Sequence, residues 1–286
     1  MRRFVDLHLH STASDGTIRP SDIIVAADTE NLAAIALCDH DTVGGLQEAE
    51  QEASKYPDLR FIRGVEISAV CTSKPRGTLH ILGLGIDPDA RGLSAILGRL
   101  RKAREQRNPK MLAKLAELGV DLTMEEVMQC VPGTHEEETR VVSRVHIAEA
   151  LVRRGLVSSI GEAFNKYIAP GAPAWVNKER IQASEAIAAI RESGGMAVLA
   201  HPAQLRCQNA AELERMVRTW ISAGLNGIEC YHPVHDARQT RLCLDLARKH
   251  NLAVTGGSDF HGRSSPSVKM GIPRVPVDVI PQKLLE

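Results

Sequence analysis

Nine residues that can bind a divalent cation lie at or just after the ends of short apolar segments in this 286-residue sequence. They are His8, His10, Asp15, His40, Glu66, His80, His201, Asp259 and His261. A single histidine in such a place is more often a packed or solvated residue than a ligand. Imidazoles and carboxylates in this number, however, are costly to bury together without a cation. The pattern therefore predicts a divalent-metal site.

The spacing of His8 and His10 illustrates the prediction. Residues two apart in a strand face the same way, so both imidazoles can reach one ion. The candidate ligands offer nitrogen and oxygen atoms and no thiolate, a set that suits Mn, Zn or Fe(II). Cys38, beside Asp39 and His40, is interpreted as a small strand residue rather than a ligand.

Seven short apolar segments are predicted as the strands that position these residues: 4–7, 33–38, 61–67, 79–84, 196–200, 227–231 and 252–255. Runs this short, with helical stretches between them, are typical of parallel strands covered on both faces. Their number favours an α/β barrel over an open sheet. The carboxyl ends of parallel barrel strands open onto one face, so the candidate ligands are expected at that mouth.

The segment from residue 93 to residue 178 differs because it contains no convincing strand. Its helix-like stretches are residues 99–118, 124–130, 145–154 and 160–167. We predict that residues 93–178 form a helical insertion over the mouth of the active site, between the fourth and fifth strands. Residues 1–92 and 179–286 would then form the barrel domain.

The composition argues against several classes of function. Lys plus Arg and Asp plus Glu are both 35, so no overall field selects a polyanion or a membrane. No segment approaches the ~20 apolar residues that a membrane span needs, and the first residues contain no apolar signal-peptide region. The six cysteines form no Cys-x-x-Cys pair, which favours reduced thiols in a cytoplasmic protein. We expect no membrane contact and infer no obligate protein partner.

Six segments, in order from residue 6 to residue 261, resemble the motifs of the PHP family, named for polymerase and histidinol phosphatase proteins. They are Asp6-Leu7-His8-Leu9-His10, Ser14-Asp15-Gly16-Thr17, Asp39-His40-Asp41-Thr42, Gly64-Val65-Glu66-Ile67-Ser68, Leu199-Ala200-His201-Pro202 and Gly257-Ser258-Asp259-Phe260-His261. Together these motifs are highly specific, although a His-x-His pair alone is weak evidence. Cys38 departs from the pattern, since threonine is usual there. The resemblance implies a distorted seven-stranded (β/α)7 barrel and a trinuclear metal centre.

The same resemblance implies how the nine candidate ligands divide among the ions. The sets are His8, His10, Glu66 and Asp259 for one ion; Asp15, His40 and His261 for a second; and His80 and His201, with Glu66 bridging, for a third. Two or three divalent ions are expected in the site. Manganese is the first choice, with zinc or iron as alternatives.

The predicted insertion resembles the small PHP phosphoesterases in residues 104–107, 143–148 and 162–167. This subgroup includes nucleoside 3',5'-bisphosphate phosphatases, some of which trim short RNA from its 5' end, and enzymes that open and dephosphorylate cyclic sugar phosphates. Guanidinium groups fit phosphate bidentately, so Arg104, Arg107 and Arg144 are the predicted phosphate ligands. Arg104 and Arg107 share one helical face. His146 is predicted either as a further phosphate contact or as a helix-face residue.

A few other residues have two interpretations each. Asp39 and Asp41 either orient imidazoles or are solvated loop carboxylates. His232 follows the sixth strand and is predicted at the rim of the mouth. Trp175 and Tyr167 are candidates for stacking on a base, although isolated aromatic residues more often pack in a core.

A cluster of divalent ions suits phosphate-ester hydrolysis, because it acidifies bound water, holds non-bridging oxygens and neutralises developing charge. The expected nucleophile is a metal-bridging hydroxide, with no covalent enzyme intermediate. Asp15 and His201 are the candidates for the acid that protonates the leaving group. Ser68 and Ser258 flank ligands, but nothing marks either as an activated nucleophile.

The sequence thus predicts a metal-dependent phosphatase or phosphodiesterase with a small phosphorylated substrate, a nucleoside 3',5'-bisphosphate or the 5' end of short RNA. A cyclic sugar phosphate dihydrolase is the alternative on the same metal centre. Two alternatives belong to other classes. One is an amidohydrolase, which also has a His-x-His pair on its first strand, and the other is a non-catalytic metal-binding module. A non-catalytic module is expected to have lost metal ligands, and none of the nine candidate ligands is missing from this sequence.

Overall fold

The structure of the protein is a computed structural model that describes residues 3–71, 77–131 and 141–286. Nine strands in these residues form one sheet: β1 Phe4–Leu9, β2 Ala34–Leu37, β3 Arg60–Val70, β4 Leu79–Leu84, β5 Ile181–Gln182, β6 Met196–Leu199, β7 Gly227–Tyr231, β8 Ala253–Gly256 and β9 Val275–Pro276. Their order is β8-β7-β6-β4-β3-β2-β1-β9, and β5 pairs with β3. The seven predicted strands are confirmed. The two additional strands, β5 and β9, have only two residues each.

The sheet curls into a nearly closed barrel. After β8 the chain returns to β1, where the amide of Asp259 donates to the carbonyl of His8 (2.9 Å) and the amide of His10 donates to the carbonyl of Phe260 (3.0 Å). These bonds lie at the carboxyl end of β1, so they bring the residues after β8 to the mouth of the barrel. The predicted α/β barrel is confirmed.

One strand contradicts the prediction that the strands are parallel. β4 pairs antiparallel with both β3 and β6, and the register places His80 opposite Ser68. Only residues 71–78 connect β3 to β4, whereas a parallel crossover needs about a dozen residues or more. His80 therefore reaches the mouth from the amino end of β4, and not from a carboxyl end as predicted.

Ten helices accompany the sheet in the described ranges: α1 Pro20–Thr29, α2 Leu46–Ala53, α3 Arg91–Glu117, α4 Met124–Met128, α5 Arg144–Arg153, α6 Ile160–Ala163, α7 Ala183–Glu192, α8 Ala210–Ser222, α9 Ala237–His250 and α10 Gln282–Leu285. A one-turn π-helix, Phe164–Ile168, continues α6. The largest apolar cluster packs α1, α2, α7, α8 and α9 against the sheet. None of the described helices is both long and apolar enough to cross a membrane.

One face of the sheet changes from apolar to polar toward the mouth. On β3, Ile62 and Glu66 share a face, and on β4, His80, Leu82 and Leu84 do so, because side chains alternate along a strand. Ile62, Leu82 and Leu84 belong to one buried apolar cluster. The same face therefore provides core packing at one end of the barrel and candidate ligands at the other.

Helix α3 joins two apolar clusters. Its first half packs with the barrel, and its second half packs with α4, α5 and α6 in a cluster of their own; the residues concerned are Leu93, Ile96, Leu97 and Leu100, then Met111, Leu112 and Leu115. The helices predicted in this segment are present, although α3 begins at Arg91 rather than at residue 99. The division of the chain at residues 93 and 178 into a barrel and an insertion stays a prediction.

Candidate active site

Glu66 lies at the centre of the candidate metal site. Its side chain, on β3, is fully buried. Its Oε2 lies 3.4 Å from His8 Nε2, 3.3 Å from His10 Nε2 and 2.8 Å from His40 Nδ1. One carboxylate oxygen thus faces imidazoles that come from β1 and from the loop after β2.

The other oxygen of Glu66 faces two further histidines. Oε1 is 2.8 Å from His80 Nδ1 and 2.8 Å from His201 Nε2. The same two imidazole nitrogens are 3.3 Å apart. His80 lies on β4, His201 follows β6 and Glu66 lies on β3, so β4 and its two neighbours in the sheet supply this half of the site.

The segment after β8 and the loop after β1 complete the cluster. Asp259 Oδ1 lies 3.2 Å from His10 Nε2 and 3.6 Å from His8 Nε2. Asp15 Oδ1 lies 3.3 Å from His261 Nε2. The ring of His261 stacks on that of His10, with centroids 4.0 Å apart. The structure therefore brings all nine sequence-predicted ligands to one mouth of the barrel.

The ligand atoms fall into compact sets whose members lie within 4.8 Å of one another. The sets are His8, His10, Glu66 and Asp259; His10, Asp15, His40 and His261; His40, Glu66 and His80; and His8, Glu229 and His232. The first set equals the one implied by the family resemblance. The second adds His10, and the third contains His40 and lacks His201. The fourth was not anticipated.

These residues fit divalent cations. Several buried atoms of the cluster lie close to one another but make no hydrogen bond of acceptable geometry in the described part of the chain: His8 Nε2, His10 Nδ1, His10 Nε2, His40 Nδ1 and Glu66 Oε2. Buried polar atoms without partners are rare and costly. Lone pairs that converge from imidazoles and a carboxylate are what a cation would satisfy.

The carboxylates and His10 have the protonation states that suit a cation, whereas at His8, His40 and His261 nearby carboxylates outweigh burial and raise the pKa of the imidazole, so a cation would displace a proton there. Burial alone would raise the pKa of Glu66, Asp15 and Asp259, but neighbouring imidazoles hold the pKa of each carboxyl well below its ordinary value. Burial, together with the nearby His261 and His40, lowers the pKa of His10 to about 3. Ionised carboxylates and a neutral imidazole are the forms that bind metal.

Glu229, which was not predicted from the sequence, orients one candidate ligand, His8. The buried side chain of Glu229 lies on β7, with Oε1 3.1 Å from His8 Nδ1, and its Oε2 accepts the amide of His201 at 2.7 Å. The contact to Nδ1 leaves Nε2 of His8 facing Glu66, as carboxylates commonly do for metal-binding histidines. A charged residue in the middle of an apolar strand was the available signal. His232, predicted at the rim, is also buried, with Nε2 3.4 Å from Asp259 Oδ2.

The backbone around the site is held in uncommon conformations. The φ angle is +26° at His201, +54° at Asp259 and +58° at Asp41. Such conformations cost about 1–3 kcal/mol each in non-glycine residues and cluster at functional sites. At Gly257, a Cβ would lie 2.4 Å from the Cβ and 2.5 Å from the backbone nitrogen of His8. Close packing of the chain thus fixes the ligand positions.

A cavity of about 140 Å³ opens beside the cluster. Asp15, His40 and His80, three of the candidate metal ligands, line it. Five basic residues line it as well: Arg104, Arg107, Arg144, Lys178 and Arg180. We refer to it as the basic cavity. It contains the three arginines predicted from the sequence.

Asp41 anchors two of these cations. The guanidinium of Arg104 donates to Asp41 Oδ2 from Nη2 and from Nε (3.1 Å), and Lys178 Nζ lies 3.0 Å from the same oxygen. The Ser68 amide donates to Asp41 Oδ1 at 2.8 Å. Asp39 instead accepts hydrogen bonds from the serines of the loop after β1. Both aspartates are buried and neither hydrogen-bonds to an imidazole of the described ranges, contrary to both interpretations from the sequence.

Arg107 and Arg144 have no carboxylate partner among the described residues. Arg107 donates to the side-chain oxygen of Asn108, and Arg144 donates to the carbonyl of Ile168 at 3.3 Å while its guanidinium lies 5.4 Å from the Phe164 ring centroid. Burial, reinforced by the neighbouring Arg104, lowers the pKa of Arg107 to about 9 and that of Arg144 to about 10. A buried guanidinium (Arg107) and a half-buried one (Arg144), neither paired with a carboxylate in the described residues, are suited to binding an anion.

His146 was predicted either as a phosphate contact or as a helix-face residue, and Lys178 was not among the predicted site residues. His146 is buried in the first turn of α5, where Nδ1 accepts the Ser143 amide at 3.1 Å. This position favours a capping role over a phosphate contact. Lys178 and Arg180 were missed, because they lie in an irregular segment with no helical or strand periodicity.

Comparison with known proteins places the chain among phosphoesterases. The sequence matches the PHP domain family over residues 6–225. A 3',5'-nucleoside bisphosphate phosphatase of Chromobacterium violaceum is 35% identical over 257 residues, which cover 90% of this chain and 87% of the relative. A 5'-3' exoribonuclease of Haemophilus influenzae is 33% identical over 261 residues, 91% of each chain. The solved structure of a protein from Bifidobacterium adolescentis, assigned as a metal-dependent phosphoesterase, superposes with a TM-score of 0.86 at 30% sequence identity. The match covers 96% of this chain and 93% of that protein.

Proposed function

Because the chain belongs to the PHP domain family and is a metal-dependent phosphoesterase, we propose that its substrate is a nucleoside 3',5'-bisphosphate or the 5' end of a short RNA. The observation that carries this proposal is the basic cavity beside the cluster of candidate metal ligands. The cavity has five cationic side chains, and Asp41 pairs with only two of them. A second phosphate group on the substrate would supply the missing negative charge.

The metal ligands we propose are the nine residues predicted from the sequence, with two or three ions bound. The donor atoms are nitrogen and oxygen, which suit Mn, Zn or Fe(II), and we propose manganese. Burial raises the pKa of the Cys38 thiol, which supports its exclusion as a thiolate ligand. When bound, the ions would acidify a water molecule and neutralise charge on the transferred phosphoryl group.

Arg107 and Arg144 would bind the phosphate that does not react. Both line the basic cavity, and neither is committed to a carboxylate in the described ranges. A charge-assisted hydrogen bond of this kind contributes about 1.5–3 kcal/mol. Arg104 would bind the same phosphate while its Nε and Nη2 remain hydrogen-bonded to Asp41.

The acid for the leaving group has three candidates. His201 is buried against Glu66. Asp15 lines the cavity, but imidazoles hold its carboxyl ionised. Lys178 also lines the cavity, and burial first, then Arg104, lowers its pKa to about 7 despite the opposing effect of Asp41. A group with this pKa can donate a proton near neutral pH, so we favour Lys178 over the two candidates from the sequence.

The test is phosphate and nucleotide release by the purified protein with Mn(II). The substrates are adenosine 3',5'-bisphosphate, a short 5'-phosphorylated RNA, a ribose 1,2-cyclic phosphate, histidinol phosphate and p-nitrophenyl phosphate. Arg144→Ala should lower kcat/KM on the bisphosphate by about 10- to 150-fold, which corresponds to the loss of about 1.5–3 kcal/mol. Arg248→Ala is the matched control, since this side chain is 79% exposed.

Each outcome decides between functions. Fast release from the bisphosphate or RNA, lost in Arg144→Ala and kept in Arg248→Ala, supports the proposal. Preference for the cyclic ester would assign the chain to cyclic sugar phosphates on the same metal centre. If the metal-loaded protein hydrolyses none of these phosphate esters, the proposed function is wrong.

A further inference from the structure

A groove of about 680 Å³ adjoins the basic cavity. The two share Ala69, Leu79, Lys178 and Arg180, so a ligand could extend from one into the other. The groove has the size of a site for a small organic molecule, for which about 300–1,000 Å³ is common. We call it the Trp175 groove, after the one large aromatic residue among those that line it.

Trp175 lines the groove, whereas the residues before and after it in the chain pack against the helical cluster. Ala174 is buried in the cluster of α3 to α6, and Val176 packs against that cluster. Trp175 is half-buried and belongs to none of the apolar clusters of the described residues. Tyr167, the other stacking candidate from the sequence, packs against the helical cluster. An aromatic face held at the wall of a groove suits stacking.

The polar residues of the groove suit a base and a nearby phosphate. The amide side chains of Asn177 and Gln182 line it, and amides can both donate and accept hydrogen bonds. Lys178 and Arg180 place positive charge where the groove meets the basic cavity. Glu179 also lines the groove, and its Oε1 lies 3.1 Å from Nη2 of Arg99, with which it forms an ion pair.

We propose that the Trp175 groove is the subsite for the nucleobase of the substrate, with Trp175 stacking on the base. The inference rests on the proposed function and refines it. A phosphate in the basic cavity and a base in the adjoining groove would be joined by the sugar. The subsite would make the enzyme prefer nucleotides over sugar phosphates that lack a base.

The test compares two substrates that differ only in the base. They are adenosine 3',5'-bisphosphate and 1,4-anhydroribitol 3,5-bisphosphate, in which hydrogen replaces adenine. Stacking of a base on an aromatic side chain contributes about 1–3 kcal/mol. Trp175→Ala should therefore lower kcat/KM on the nucleotide by about 5- to 150-fold, and leave kcat/KM on the base-free analogue unchanged. Trp175→Phe should retain most of the activity on the nucleotide.

Tyr56→Ala is the matched control, because Tyr56 is also half-buried but lines a different cavity, with Ala33 and Arg60 at the amino ends of β2 and β3. It should leave the ratio of the two kcat/KM values as in the wild type. Equal losses on both substrates in Trp175→Ala, or no loss on the nucleotide, would overturn the base subsite while the bisphosphatase activity stands. If the wild-type protein hydrolyses neither bisphosphate, the proposed function itself is wrong.

Discussion

Replacing Asp41 by asparagine tests whether the basic cavity depends on one counter-ion. Asparagine has nearly the same shape, and it tolerates the left-handed backbone that Asp41 adopts at φ +58°. Burial alone would raise the pKa of the Asp41 carboxyl, but Lys178 and Arg104 hold it well below its ordinary value. The carboxylate is therefore charged, and the substitution removes that charge without a large change in packing.

The expected cost follows from the burial of the partners. Asp41 is fully buried, and the side chains of Arg104 and Lys178 are both 9% exposed. Breaking a buried ion pair by removing one partner costs about 3–5 kcal/mol, because the other charge is left uncompensated. At about 2–4 °C per kcal/mol for a chain of this size, Tm should fall by about 6–20 °C.

Anion binding separates this explanation from ordinary destabilisation. Inorganic phosphate can replace the missing negative charge, and a ligand that binds only the folded state stabilises it by mass action. A fixed phosphate concentration should therefore raise Tm more in Asp41→Asn than in the wild type, as measured by circular dichroism melting.

Asp39→Asn is the control for this experiment. Asp39 is equally buried and lies two residues away, but its partners are Ser11 and Ser14 and not cations. Its substitution should lower Tm without enlarging the effect of phosphate. If Asp41→Asn melts at the wild-type temperature, or if phosphate stabilises both variants equally, the counter-ion argument is wrong.

Three further predictions concern the metal site and the proton donor. Glu229→Gln should weaken metal binding by about 10- to 100-fold, because His8 loses the carboxylate that orients it; calorimetric titration with Mn(II) measures this, and unchanged affinity would remove the orienting role. Gly257→Ala should lower both metal content and Tm, since its Cβ would lie 2.5 Å from the backbone nitrogen of His8 and displace that residue, and full metal occupancy would contradict this. If Lys178 is the acid, kcat should fall as the pH rises through about 7, because the amine carries its proton only below that pKa. Lys178→Arg should lower kcat by about 10²- to 10⁴-fold and abolish the fall in kcat at alkaline pH. If the fall persists in the variant, it belongs to another group.

The positions of the predicted metal ligands other than His80 could be inferred from the sequence because they depend on local structure. The two-residue spacing of His8 and His10 determines their common face in any strand. Polar residues that follow apolar strands must emerge at one end of an α/β barrel. The metal-binding roles themselves stay predictions until an ion is bound and measured.

Other parts of the site depend on contacts distant in sequence and could not be inferred. Glu229 is 221 positions from His8, and no local pattern links the two residues. Lys178 meets Asp41 across 137 positions. The direction of β4 could have been predicted, because its connection to β3 is too short for a parallel crossover. The start of α3 was obscured by Gly92 and Gly98, which have low helix propensity.

In protein engineering terms, α3 limits where this molecule can be cut and rejoined. The helix has 27 residues and, at 1.5 Å per residue, a length of about 40 Å. Arg104 and Arg107 lie between its barrel-packed half and its second half. A chimera joined within the helix would combine one parent's barrel contacts with another parent's helical contacts and leave the arginines at the mismatch. Exchanging residues 91–117 together with the helices that follow would transfer the proposed phosphate-binding arginines intact, so substrate preference should be inherited from the parent that donates α3.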